Sequence, residues 1–175
     1  MNRIPTARFA EFIEFFPLLE LPFSLLPDIS QIPSLALPIP GVMIEEYILP
    51  FEGDEVDEYT EYIPYGRIAG MKDFHALIYW KASVMQYEFI LATYTLEGNP
   101  LNHAIIGGLR SDQEGILHSV AVIDQDLSIT IAEGISVDDV DDEVSLDISK
   151  TNTYQMAIKP DGYISYDMNE EDKEE

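Results

Sequence analysis

The chain has 175 residues, 46% of them hydrophobic and 11% aromatic, which fits one domain with a sizeable core and argues against disorder of the whole chain. Its 33 acidic residues face 9 Lys and Arg, and a net charge of −24 repels nucleic acid and anionic membrane surfaces. There is no cysteine, which excludes disulfides, thiolate metal sites and a cysteine nucleophile. Any charged partner is therefore expected to be a basic protein or a cation.

The N-terminal sequence places arginines before an apolar run, as a secretory signal does. Glu11, Glu14 and Glu20 interrupt that run, Pro17 and Pro22 break it, and no small-residue cleavage site follows. No stretch approaches the uninterrupted apolar length of a membrane span. Together with the missing cysteines, this predicts a cytoplasmic, soluble protein with no membrane association.

The sequence predicts a single domain over residues 1–167 and an acidic, disordered tail over 168–175. A short helix is expected over 6–16, because Phe9, Phe12, Ile13 and Phe16 fall on one helical face. Residues 17–50 hold seven of the eleven prolines between leucines and isoleucines, which favours an extended Pro/Leu-rich wrap lying on the core.

The C-terminal part of the chain, residues 71–167, is typical of β structure. Eight segments are rich in β-branched and aromatic residues: HALIYWKA, YEFILATYT, LNHAIIGGL, ILHSVAVID, LSITIAEG, EVSLDIS, TYQMAIK and GYISYD. Short Gly, Asp, Asn or Pro turns in TYTLEGNPLNH, AVIDQDLSIT and MAIKPDGYISY predict consecutive hairpins. The fold class is therefore mainly β, an antiparallel meander that forms a sheet or a barrel, with one short N-terminal helix and the extended wrap.

Two acidic stretches are candidate contact surfaces. The first has eight acids between Glu45 and Glu61 and no base, and its centre, residues 52–58, should be a solvated loop. We expect binding residues there at Glu55, Asp57 and Glu58, with Tyr62 and Tyr65 beside them, because tyrosine next to solvated charge is common at interfaces.

The second acidic stretch, GISVDDVDDEVSLD, has six carboxylates between Gly134 and Asp147. Its acidic doublets and the lack of an internal glycine fit a calcium loop poorly. A solvated loop is the first interpretation, part of an acidic contact face through Asp138, Asp141 and Asp142 the second, and a weak calcium site the third.

The remaining candidates are histidines and aromatic residues in the expected strands. His75, His103 and His118 would form a divalent-metal site if they faced one cavity, although their spacing matches no ligand motif. Trp80 and Tyr94 are candidates to line a small-molecule pocket with one or more histidines, with core packing as the alternative.

No catalytic or cofactor signature is present. The sequence has no nucleophile elbow and no phosphate-binding glycine loop, and acids are so abundant that a pair of them carries little information. We therefore expect no cofactor and favour a non-enzymatic acidic protein that binds a basic protein partner, as immunity and antitoxin proteins do. The alternative is a small-molecule or metal-binding β-barrel.

The stretches FAEFIEFFPLLELPFSL, IEEYILPFEGDEVDEYTEYIPYGRI, FHALIYWKASVMQYEFILATYT and AVIDQDLSITI resemble small proteins of Bacteroidetes-type bacteria to which no activity is attached. The resemblance spans most of the chain. It implies a bacterial cytoplasmic protein and carries over no functional residue.

Overall fold

A computed structural model of the chain describes residues 8–27, 37–53, 58–113, 115–137, 145–146 and 151–167. The helical elements are α1 (Phe9–Ile13), α2 (Gly41–Met43), a π-helical turn (Ile44–Ile48) and α3 (Leu49–Glu52). The strands are β1 (Leu18–Leu19), β2 (Phe23–Leu25), β3 (Glu61–Ile68), β4 (His75–Ser83), β5 (Gln86–Tyr94), β6 (Pro100–Asp112), β7 (Gly115–Ile123), β8 (Ser128–Val137), β9 (Ser145–Leu146), β10 (Asn152–Ile158) and β11 (Ile164–Asp167).

The strands form one sheet in the order β1-β3-β4-β5-β6-β7-β8-β10-β11, with β2 paired to β7 and β9 paired to β8. The pairings are antiparallel except that between β1 and β3. The prediction of a mainly β, antiparallel protein is confirmed, and each of the three predicted hairpins is present. Of the two forms left open, the described residues adopt the open sheet, because β1 and β11 end the strand order and no pairing joins them.

The sheet separates into two halves between β6 and β7. These strands pair only from Gly108↔Ser119 to Asp112↔Gly115, and beyond Ser119 the short strand β2 pairs with β7 instead. The inner faces of the two halves meet in one core, which we call the first core. Its largest buried members include Trp80, Phe89 and Leu91 from the first half and Ile123, Ile131 and Met156 from the second.

A second core covers the opposite face of β4 and β5. Here α1 and the helical segment (α2, the π-helical turn and α3) pack through Phe12, Phe16, Tyr47 and Ile48 onto Leu77, Tyr79, Ile90, Ala92 and Tyr94. Strands that are buried on both faces have continuous apolar sequences. This explains why HALIYW lacks the alternation seen at Leu127, Ile129 and Ile131 of the β7–β8 hairpin.

The part of the chain before β4 differs from its prediction at three places. The helix α1 is shorter, and its predicted start at residue 6 lies outside the described residues. Residues 41–52 are helical rather than extended, because no proline occurs between Pro40, which precedes α2, and Pro50, which lies in the first turn of α3, where its missing N–H is tolerated. The strand β3 was not predicted, because Pro64 and Gly66 are uncommon inside strands, although buried residues alternate along it.

Candidate functional site

Large apolar side chains are exposed at the end of the sheet where β4 turns into β5. Val84 and Met85 form the turn between the paired residues Ser83 and Gln86, and their side chains are 71% and 63% exposed. We call Val84, Met85 and Tyr59, with the acids Glu58 and Glu61, the hairpin-tip surface. Tyr59 is itself 71% exposed, so three large apolar side chains of this surface face solvent.

The strand register places Tyr59 beside the turn. Glu61 of β3 is the Cα partner of Ala82 in β4. Tyr59 precedes Glu61 by two residues, and Val84 follows Ala82 by two, so both lie just beyond the paired region at the same end of the sheet. The exposed carboxylates of Glu58 and Glu61 flank Tyr59 in the chain. Apolar side chains at the centre and charges at the margin are the usual anatomy of a protein interface.

The two tyrosines expected at a contact surface, Tyr62 and Tyr65, differ in their exposure to solvent. Tyr62 is only 7% exposed and belongs to the second core, which makes its side chain unsuitable as a primary contact. Tyr65 is half-buried, and its ring packs edge-on against that of Phe89 with 5.2 Å between the ring centroids. Of the predicted acids, Glu58 is exposed, whereas Glu55, Asp57, Asp138, Asp141 and Asp142 lie outside the described residues.

Trp80 and Tyr94, the two candidates for a pocket lining, lie on opposite faces of the sheet. Trp80 is 1% exposed in the first core, and Tyr94 is fully buried in the second. The Tyr94 hydroxyl donates to the backbone carbonyl oxygen of Tyr47 at 2.7 Å. The pair therefore does not line a common pocket, and core packing accounts for both residues.

The three histidines do not converge. The His75 ring contacts Phe9, the His103 ring contacts Phe51, and His118 Nε2 is hydrogen-bonded to the Ser136 hydroxyl at 2.8 Å. Within the described ranges, no three His, Asp or Glu side chains are grouped as metal ligands would be. Burial lowers the pKa of His75, with a further contribution from Arg67, and burial lowers the pKa of His118. Both shifts favour neutral imidazoles with packing and hydrogen-bonding roles.

The acid Glu52, expected in a solvated loop, joins the helical segment to the sheet. Its side chain is 7% exposed, forms an ion pair with Lys81 Nζ of β4 and accepts a hydrogen bond of 3.2 Å from the Tyr79 hydroxyl. Burial raises the pKa of Tyr79, and the nearby Glu52 carboxylate adds to that effect. The cluster has paired charge and satisfied donors, as a structural connection requires.

A second polar cluster lies at the mouth of the split between the sheet halves. Ser119 and Tyr154 both donate to Glu133 Oε1, at 3.0 and 2.8 Å. The same small cavity is lined by Glu88, whose pKa is raised by burial, and by Arg110. Its volume is about 20 Å³, which is room for one water molecule and too small for an organic substrate.

A wider groove of about 490 Å³ runs beside α1. Its walls include Phe9, Ile13, Tyr47, His75 and Leu96, with Arg8 and Glu97 at the margin. Phe9 and Tyr47 are themselves 8% and 4% exposed, so the groove offers a ligand little aromatic surface.

Tyr59, Val84 and Met85 are the residues that the sequence did not single out. The sequence separates the predicted strands HALIYWKA and YEFILATYT by SVMQ, which contains no Gly, Asn, Asp or Pro to mark an exposed turn. The available signal was this position, since the residues that join two strands form a turn.

The fold and this surface define the class of protein: a mainly β chain with an open antiparallel sheet, a core on each face of its first half and an acidic, apolar-tipped end. Comparison with protein-family models, with curated proteins and with solved structures finds no match. No helix among the described residues is long and apolar enough to cross a membrane.

Proposed function

We propose that the chain is a non-enzymatic interaction protein that binds a basic protein partner, as immunity and antitoxin proteins do. The observation that carries the proposal is the uncompensated acidity. With 33 acids and 9 Lys and Arg, at least 24 carboxylates have no cation within the chain with which to pair one to one. A basic partner would supply those cations, accelerate encounter by electrostatic steering and exclude acidic competitors through repulsion.

Two of the described bases are engaged with acids outside the hairpin-tip surface. Lys81 is engaged with the buried Glu52, and Arg8 approaches Glu11 at 3.9 Å on the exposed side of α1. Neither ion pair involves Glu58 or Glu61, the exposed acids of the hairpin-tip surface. The hairpin-tip surface therefore combines exposed negative charge with exposed apolar area, which suits a partner of positive charge.

The alternative function, a small-molecule or metal-binding pocket, has less support: the groove of about 490 Å³ beside α1 has the volume of a ligand site, but its aromatic walls are largely buried. Both faces of the first sheet half are filled by the chain's own side chains, and the histidines lie apart. A bacterial origin and a cytoplasmic location belong to the same proposal as the basic partner. They are supported by the resemblance and by the absence of cysteine.

The test compares the proteins bound by the immobilised chain at about 50 mM and about 500 mM salt, since screening weakens steering and exposed ion pairs. Wild type is compared with the double variant E58K/E61K and with the control E97K/D161K, which changes the charge by the same amount at other exposed sites. We expect a basic protein that binds wild type and the control at low salt, dissociates at high salt and is lost with E58K/E61K. Recovery of no salt-sensitive basic protein by wild type would contradict the proposal.

A further inference from the structure

The turn at Val84 and Met85 has no structural explanation within the described chain. Two large apolar side chains at the end of a hairpin gain little from folding while they are 71% and 63% exposed. Single exposed apolar residues are ordinary on protein surfaces, but these two are adjacent, and the strand register puts the exposed Tyr59 at the same end of the sheet.

The backbone of the turn is also unfavourable for its sequence. Met85 has φ of 61°, in the left-handed region that Gly, Asn and Asp adopt most easily. Leu127, which turns β7 into β8, has a similar φ of 67°, but its side chain packs against the first core. Met85 receives no such compensation, because its side chain points into solvent.

The exposed turn is held in place by the neighbouring strand. The Ser111 N–H of β6 donates to the Met85 carbonyl oxygen at 3.1 Å, and Gln86 pairs with Arg110. The tip is therefore supported on the β6 side by a backbone hydrogen bond and on the β3 side by the pairing of Glu61 with Ala82. A supported, apolar protrusion loses little conformational entropy on binding, which is what an interface anchor requires.

We infer that the Val84–Met85 turn is the apolar anchor of the interface, and that it inserts into an apolar pocket bordered by Lys and Arg on the basic partner. This inference rests on the proposed function and adds to it the contact residues and the chemistry of the partner's pocket. A two-residue turn requires a positive φ, which Gly or Asn would supply with least strain, and the occurrence of exposed Val and Met there instead is the observation that points to recognition.

The charge of this end of the sheet decides between possible occupants of the surface. Glu58 and Glu61 flank Tyr59, Arg110 pairs with Gln86 beside the turn, and the chain has a net charge of −24, so two copies that met through the tip would repel each other through their net negative charge. An anionic membrane is disfavoured for the same reason. A basic protein surface with an apolar recess satisfies both the carboxylates and the two side chains.

The experiment uses the full chain and three synthetic probe peptides: one of Lys and Leu, one of Lys and Ser, and one of Glu and Leu. Affinities are measured by fluorescence anisotropy, and contacts by NMR of the methionine methyl groups, of which the chain has six. We expect the Lys–Leu peptide to bind most tightly and to shift the Met85 methyl signal. The Lys–Ser peptide should bind more weakly without shifting it, and the Glu–Leu peptide should not bind.

Three variants separate an anchor from a structural role. V84S/M85N should lose affinity for the Lys–Leu peptide about tenfold or more, as removal of an interface anchor does. M85G should lose affinity as well, while its melting temperature rises because glycine relieves the left-handed strain. Leu96→Ser, at the opposite end of β5 and 50% exposed in the wild type, is the matched control and should bind as wild type does.

The possible failures are distinguishable. If neither lysine peptide binds at low salt, the proposed function fails together with the inference. If both bind, but Met85 is unaffected and V84S/M85N binds equally well, the inference alone is overturned. Sedimentation that shows a tip-dependent dimer, or flotation that shows tip-dependent binding to phosphatidylcholine vesicles, would also overturn it by identifying a different occupant.

Discussion

The hydroxyl of Tyr94 and the backbone carbonyl oxygen of Tyr47 form a buried hydrogen bond of 2.7 Å that joins β5 to the helical segment. The two residues are 47 positions apart in the chain, so this bond holds two distant parts of the sequence together. It lies in the second core, among the rings of Phe9, Phe12 and Phe51.

Replacing Tyr94 with Phe removes this hydrogen bond and keeps the ring packing. We expect the free energy of unfolding to fall by about 1–2 kcal/mol, because a buried bond is lost without a cavity. Urea unfolding followed by fluorescence measures the difference. Tyr166→Phe, at a position 61% exposed, is the control and should change stability by less than about 0.5 kcal/mol.

The Glu52–Lys81 contact should be energetically coupled, whereas the exposed Arg8–Glu11 pair should not. The side chains of Glu52 and Lys81 are 7% and 23% exposed, compared with 84% and 57% for Arg8 and Glu11. Double-mutant cycles with alanine should give a coupling of about 1–3 kcal/mol for the first pair. For the second pair they should give about 0.5 kcal/mol or less. Equal couplings would show that burial of the first pair does not matter.

Alanine substitutions at Gly98 and Gly70 distinguish the stability cost of a steric clash from that of backbone strain. Both have positive φ, 90° and 82°, but a Cβ at Gly98 would lie 2.4 Å from Phe9 Cγ, whereas one at Gly70 has nothing within 4 Å. We expect Gly70→Ala to cost about 1 kcal/mol from strain alone. Gly98→Ala should cost about 1–3 kcal/mol more, because α1 must move. Thermal unfolding compares the two, and equal losses would mean that α1 adapts without cost.

Alkaline pH should unfold the protein through its buried tyrosines. Burial raises the pKa of Tyr79, Tyr94 and Tyr154, with hydrogen bonding to Glu133 adding to the effect at Tyr154. A pKa that is higher in the folded state gives stability that is complete below the unfolded value of 10.0 and is lost as pH rises above it.

The measurement is urea unfolding at a series of pH values from about 9 to about 12. Each tyrosine that ionises only in the unfolded chain contributes a slope of about 1.4 kcal/mol per pH unit. Tyr94→Phe should reduce the slope above pH 10 by one such contribution. A stability that is flat across this range would contradict protonated, buried tyrosines.

The strands of the second half were predictable because their information is local. In LSITIAEG, Ile129 and Ile131 alternate with Ser128 and Thr130, and the structure buries both isoleucines in β8. The turns that bound these strands contain the Gly, Asp and Pro that such turns require. The helical segment 41–52 was harder to predict, because its short pieces depend on packing against β4 and β5 more than on intrinsic helix propensity.

The exposure of the candidate contact residues was not predictable from neighbouring residues. Tyr59 and Tyr62 stand three residues apart beside the same acids, yet one is 71% exposed and the other 7%. The difference arises because β3 begins at Glu61 and turns Tyr62 toward the second core, whose covering layer comes from α1 and the helical segment. No sequence pattern near Tyr62 indicates that distant helical residues cover the face of β3 on which it lies.

The sequence by itself determined the antiparallel strands, the hairpins and the net negative charge, since alternation, turn residues and composition can be read without the tertiary structure. Tertiary structure alone decided that Trp80 and Tyr94 occupy opposite cores, that the three histidines lie apart and that Val84 and Met85 reach solvent. Successive residues of a strand point to opposite faces whatever covers them. Which face is covered, and where an apolar run turns, depends on contacts between residues far apart in the chain.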